Sequence, residues 1–275
     1  MALHPGLPAL ATVGSAPDLT RPCAHYTCCA MDASQTIREA MTQVAALRQQ
    51  AADNPALALA LQQIKQLQAA RFAHNYADLL ASDTFAPSAR FFLEELYSAR
   101  DYRLRDQQFA RIATALELTF PAHVVSTAVA LAQLHQLTET LDMGLARAWL
   151  STAESDRGLR YVQAWRSLGH ASERGWQLDT VLQIGQTLTD LTRKRSLRMM
   201  LKMMRQPARL AGLEALQVFL ETGFDRFAGM NQTPGAAAEF LRTVQTREAE
   251  WIARLFDPTQ LGPCSAVLAQ ALDSQ

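Results

Sequence analysis

The chain predicts an all-α protein, an irregular multi-helix bundle of about nine helices with no β-sheet. Three observations carry that expectation. Apolar residues recur every three and four positions from Ser34 to Phe256, which draws one apolar face on each helix. No stretch sustains the alternation that a half-buried strand needs. The prolines Pro55, Pro87, Pro121, Pro207 and Pro234 each precede an apolar-periodic run, where a missing N–H is no loss because first-turn donors are unpaired anyway.

The first helix is expected at 34–52, where MDASQTIREAMTQVAAL begins at Met31 and offers Ser34 as N-cap. Asn54 caps a run at 55–81, and Pro87 opens another at 87–98. The next, 105–119, carries Phe109, Ile112, Ala113 and Leu116 behind Asp106 as N-cap, and Pro121 opens 121–150. The stretch STAESDRG, 151–158, is the best internal break, either a division into two helical halves or a loop inside one domain. Helices at 156–169, 173–205 and 207–230 follow, the last with Leu213, Leu216, Leu220, Phe224 and Phe227 as its stripe. Thr233 and Pro234 open 234–256, where Glu248 is the acid at the edge of a stripe from Phe240 to Leu255. The domain is thus 34–256, and 257–275 is expected to be a loose tail with a short helix at 264–272.

Residues 1–33 are expected to be a disordered tail or a misassigned start. They hold four of the eleven prolines and show no regular period. Cys23, Cys28 and Cys29, with His25 among them, lack the second cysteine pair of a zinc site. With 49% hydrophobic and 19% charged residues the composition is globular, and 26 basic residues cancel 26 acidic ones. That balance disfavours a protein that coats nucleic acid. No apolar run approaches the roughly 20 residues of a membrane span, and the N-terminus lacks the basic start of a signal peptide. A cytoplasmic location is expected.

The run FFLEELYSARDYRLRDQQFARI, from Phe91 to Ile112, raises the question of a catalytic carboxylate pair. On a helix, Phe92, Leu93, Leu96 and Tyr97 form one apolar arc, and Glu94 and Glu95 fall outside it on either side of Phe91. The carboxylates read as partners of Arg90, Arg100, Arg103 and Arg105, and Phe91 marks a face that another helix or a partner covers. FFLEELY, then RD and FARI, resembles an uncharacterised family of proteobacterial all-helical proteins; LHQLTETLD and ARLAGLEALQVFLETGF are similar to it too. The resemblance covers most of the chain after Met31. It implies a bacterial, cytoplasmic origin and carries no activity or functional residues.

Two further stretches hold chemistry. LHQLTETLD sets His135, Glu139 and Asp142 on one helix face, a ligand set for a divalent metal, although the second Glu-x-x-His helix of bundle di-metal sites is missing. TRKRSLRMMLKMMRQPARLAG places Arg195, Arg198, Lys202, Arg205 and Arg209 in one stripe, with methionines on other faces and no acid between Asp190 and Glu214. No phosphate loop, HExxH, nucleophile elbow or dinucleotide fingerprint occurs. The expected role is therefore a non-enzymatic interaction or scaffold module. A protein partner or a second copy would meet the basic Met-rich helix 193–209 and the Phe91 surface, with no cofactor. The alternative is an enzyme or sensor with a metal or small ligand at His135, Glu139 and Asp142.

Overall fold

A computed structural model describes residues 32–96 and 100–273. The expectations for the N-terminal tail and its cysteines lie outside the described residues as far as Met31; Asp32 and Ala33 already belong to the start of the first helix. All regular structure among the described residues is helical, and no helix there is long and apolar enough to cross a membrane.

Helix α1 (Ala33–Ala52) is capped by Asp32 rather than Ser34: the Asp32 carboxylate accepts from the Ser34 N–H at 2.9 Å. In α2 (Pro55–Asn75) the Asn54 side chain accepts from the Leu57 N–H and Pro55 holds the first position, as the sequence implies. The expected run to 81 breaks at Tyr76, which is wholly buried and starts the short α3 (Ala77–Ala81). Its ring stacks on Phe72 with centroids 4.3 Å apart, and its hydroxyl donates to Glu248 at 2.9 Å. Then come α4 (Ala86–Leu96), α5 (Arg103–Thr119), the 30-residue α6 (Ala122–Ser151) and α7 (Arg157–Leu168).

The expected helix 173–205 is three pieces: α8 (Ala171–Thr192), α9 (Arg195–Met203) and the first residue of α10 (Arg205–Leu210). The expected 207–230 likewise divides, with α11 spanning Glu214–Met230. Each break is stabilised from a distance, because side chains elsewhere satisfy the backbone groups that a continuous helix would pair internally. Asn231 donates to the Thr189 carbonyl at 2.8 Å, Gln217 donates to the Leu201 carbonyl at 2.7 Å, and Gln108 accepts from the Leu216 N–H at 2.8 Å. Arg111 donates to the carbonyls of Ala211 and Gly212 between α10 and α11. Pro207 sits in the first turn of α10 and has no N–H to pair with the Met203 carbonyl, which fits the break at Met204. Helix α12 (Ala236–Phe256) is preceded by Gly235 in the left-handed region, not capped by Thr233.

The segment after Asp257, expected to be loose, instead forms a 3₁₀ turn at Pro258–Gln260 and α13 (Leu261–Asp273). Cys264, Leu268 and Ala271 of α13 are almost wholly buried, and α13 packs on α2 and α7. Helix α6 is the axis of the fold, touching α1, α2, α7 and α8. Its direct packing on α7 makes 151–158 a loop inside one compact unit rather than a boundary. The core has three parts. One gathers Ile64, Leu67, Trp149, Trp165, Leu255 and Leu268; a second gathers Phe72, Phe92, Phe227 and Phe240; a third gathers Ile37, Val44, Phe109 and Leu216.

Close approach of α7 to α13 requires Gly158. A Cβ there would lie 2.8 Å from the Ser265 carbonyl oxygen and 3.1 Å from its Cα, both backbone atoms that cannot swing aside. Gly158→Ala is expected to lower stability by about 1–3 kcal/mol, the usual cost of overpacking. Urea unfolding of the two proteins measures it; an unchanged midpoint would refute the packed position of α13.

Candidate functional site

The second and third core parts touch where Phe91, packed on the second, stacks on Phe219, packed on the third. Beside that contact α4, α5, α6, α8, α9 and α11 line a cavity of about 280 Å³ that is partly open to solvent. Its walls are almost entirely apolar, with Phe109, Leu131, Ile184, Leu188, Phe219 and Phe224 among them. The first half of α6, Val124 to Leu131, is only half-buried because it faces this space, whereas the second half, Leu141 to Trp149, is packed tight. A smaller chamber of about 100 Å³ adjoins it and shares Phe92, Leu134, Thr138, Asp142 and Val181 as a common wall. That second space has mixed walls, in which Gln68, Arg71, Arg174, Gln177 and Glu248 stand among Trp165, Trp251 and other apolar side chains.

Charged side chains close one end of the large cavity. Asp106, read from sequence as an N-cap, is 5% exposed and lies inside α5 as a hub. It accepts from Arg48 at 2.7 Å and pairs with His135 Nε2 at 2.8 Å; Arg105 Nε lies 3.3 Å from its other oxygen. Burial pushes its carboxyl up, but the hydrogen bond with His135 and the charges of His135, Arg105 and Arg48 outweigh that and hold it below its ordinary range. Arg105 also pairs with Glu95 at 2.7 Å, and its guanidinium lies over the rings of Tyr102 and Phe219. Burial raises the Glu95 carboxyl; Arg105 and Arg100 oppose the shift. Glu94 pairs with Arg100 at 3.2 Å in the open. The two glutamates thus tie α4 to the start of α5 and its approach, and they are not a carboxylate pair.

His135, Glu139 and Asp142 do share one face of α6 and all three line the cavity, as their spacing implies. They do not converge. His135 is bound to Asp106, Glu139 takes Lys65 at 2.9 and 3.1 Å, and Asp142 accepts from Gln68 at 3.0 Å. Among the described residues no group of three His, Cys, Asp or Glu side chains stands where it could hold a metal ion. The partners that sequence reading missed, Lys65, Gln68 and Arg71, form a stripe at three-residue spacing on α2. It faces the equally spaced Glu139 and Asp142 of α6, and that matched spacing was the available signal.

The basic stripe is exposed throughout: Arg195, Arg198, Lys202, Arg205 and Arg209 all face solvent. The bend at Met204 divides it between α9 and α10. Arg198 pairs with Asp225 at 3.0 Å and Arg205 is bidentate on Glu221 at 2.8 and 2.5 Å. Phe91 requires correction as a partner residue. Its ring stacks on Phe219 with centroids 5.9 Å apart and covers Gly223, where a Cβ would come within 3.1 Å of it; α11 of the same chain is what covers this face.

Residues 47–261 match the family model described as a domain of unknown function, DUF8198. The chain belongs to that family. No curated protein and no solved structure gives a match. The DUF8198 span runs from the last turn of α1 to the first residue of α13 and includes every charged group at the closed end of the cavity.

Asp142, wholly buried, offers a test of these electrostatics. Burial raises its carboxyl above the ordinary 3.8, against the pull of Lys65 and Arg174 and with the push of Glu139. The folded protein therefore holds a proton that the unfolded chain releases. The resulting stability is present in full below pH 3.8 and is lost as pH rises toward the higher folded value. Asp142→Asn keeps an oxygen for Gln68 and removes the titration. Urea unfolding across pH is expected to find the variant more stable than the parent at neutral pH, the gap closing as pH falls toward 3.8.

Proposed function

We propose that this domain binds a small, mainly apolar molecule in the cavity bounded by α4, α5, α6, α8, α9 and α11, with a neutral hydrogen-bonding group at the charged end. The observation that carries this reading is an apolar space of about 280 Å³ recessed between helices and partly open to solvent. Apolar wall left facing water is unfavourable by roughly 25 cal/mol per Å², and a ligand that covers it recovers that free energy. A cavity of about 150 Å³ lined by Leu, Ile and Phe accepts benzene, so this one takes a body roughly twice that size.

The head group is neutral for an electrostatic reason. Lys65 with Glu139, Arg105 with Glu95, and Arg48 with Asp106 already satisfy one another. An added net charge would find no unpaired counter-ion among these groups and would lose hydration against the apolar wall. Hydrogen-bonding atoms of these pairs still line the wall, which suits a hydroxyl, a carbonyl or an amide. A metal-dependent version of the site has no supporting arrangement among the described residues.

The test is titration of the full chain with an environment-sensitive apolar fluorophore, together with native mass spectrometry for a co-purifying molecule. Ala128→Phe, which projects a ring from α6 into the cavity, is expected to weaken probe binding at least about tenfold while the melting temperature holds or rises, as filling a void should do. Probe binding unaffected by that substitution would refute the assignment.

A further inference from the structure

We infer that the outer face of α9 and α10 docks on an anionic lipid bilayer. The inference rests on the proposed binding of an apolar molecule, because it supplies the surface from which such a molecule enters.

Helix α9 has two faces with different tasks. Leu197, Met200 and Leu201 form part of the cavity wall. The opposite side carries Arg195, Arg198 and Lys202 beside Met199 and Met203, which are 65% and 70% exposed. No residue of α9 is buried, so the helix is a cover over the cavity and not a member of the core. Leu210 of α10, 87% exposed, extends the apolar ground. Arg193, Lys194, Arg195, Lys202 and Arg209 form no ion pair within 4 Å among the described residues; the ion pairs of Asp225 and Glu221 of α11 are with Arg198 and Arg205.

The mixture selects the partner. An acidic protein surface or a polyanion would satisfy the arginines and leave Met199, Met203 and Leu210 against water. Single-stranded nucleic acid would also want aromatic rings for base stacking, and residues 193–210 contain none. A bilayer offers both requirements at fixed depth: anionic head groups for the long cationic side chains and, a few ångströms below, hydrocarbon for methionine and leucine. An apolar molecule sparingly soluble in water also has its reservoir there. The cover of the cavity then lies against the phase that holds the ligand.

Vesicle flotation with the full chain tests the docking. Vesicles of phosphatidylcholine with and without phosphatidylglycerol are compared at low and high salt, and uptake of the apolar fluorophore is measured in parallel. Wild-type protein is expected to float with the anionic vesicles alone and to be released by salt. Each cation near such a surface contributes on the order of a factor of five, so R195E/K202E should weaken binding by well over about tenfold. M199S/M203S should weaken it several-fold with helicity intact. Absence of flotation with anionic vesicles overturns the inference. So does flotation that M199S/M203S leaves unchanged and soluble polyglutamate abolishes, which would assign the face to an acidic protein. Fluorophore uptake that persists while docking fails sinks the docking alone; absent uptake sinks the cavity reading beneath it.

Discussion

The structure depends on pairing the charges that α2 brings into the core. Lys65, Gln68 and Arg71 stand on one stripe of that helix, and each finds its counterpart on another: Glu139 and Asp142 on α6, Glu248 on α12. The first two contacts share a constant sequence offset of 74, so α2 and α6 run in the same sense with their turns in step. Sliding α2 by one turn would take Arg71 away from Glu248 and leave that buried carboxylate without its cation. Removing one member of a buried pair typically costs about 3–5 kcal/mol, whereas swapping both for apolar residues is often tolerated. The seam therefore acts chiefly on register. Arg71 and Glu248, with side chains 6% and 10% exposed, extend it to the far end of the chain.

That registration explains why the bundle is not closed throughout. The half of α6 beside the seam packs tightly against α2 and α7. The other half, poor in charge and rich in Val, Ala and Thr, packs on α1 and α5 through Val125, Val129 and Ala132 but leaves its Val124, Thr127 and Leu131 side facing the cavity. Aromatic contacts act as spacers around the gap: Phe91 on Phe219, and Phe92 against Phe227 and Phe240. Rigid rings hold α4 and α11 at a set separation where Leu or Ala would let them collapse. The cavity is what remains, and α9 is the weakest part of its wall.

The sequence made the class legible, and the helix starts at Pro55 and Pro121 with it, because period and proline placement are local properties. It misled wherever the deciding group is remote. Nothing near residue 192 shows that Asn231 will satisfy the Thr189 carbonyl and the Thr192 hydroxyl, and nothing near Leu201 anticipates Gln217. Asp106 looked like a cap because a lone acid before an apolar run usually is one; only the fold brings Arg48 and His135 to it. The spacing of His135, Glu139 and Asp142 sets them on one face of α6 but could not say that three different partners already claim them. The cavity itself, an absence of atoms between residues far apart in sequence, leaves no trace in periodicity.

Helix α13 sets a practical limit on how the family's boundaries are drawn. The family match stops at its first residue, yet Cys264 and Leu268 complete the part of the core that holds Ile64, Leu67 and Trp149. At the opposite end the match begins at residue 47 and omits Ile37, Ala40 and Val44, which anchor α1 against α5. A polypeptide trimmed to 47–261 would expose greasy flanks on two sides and report on aggregation rather than on the domain. Expression work on relatives should carry both outer helices.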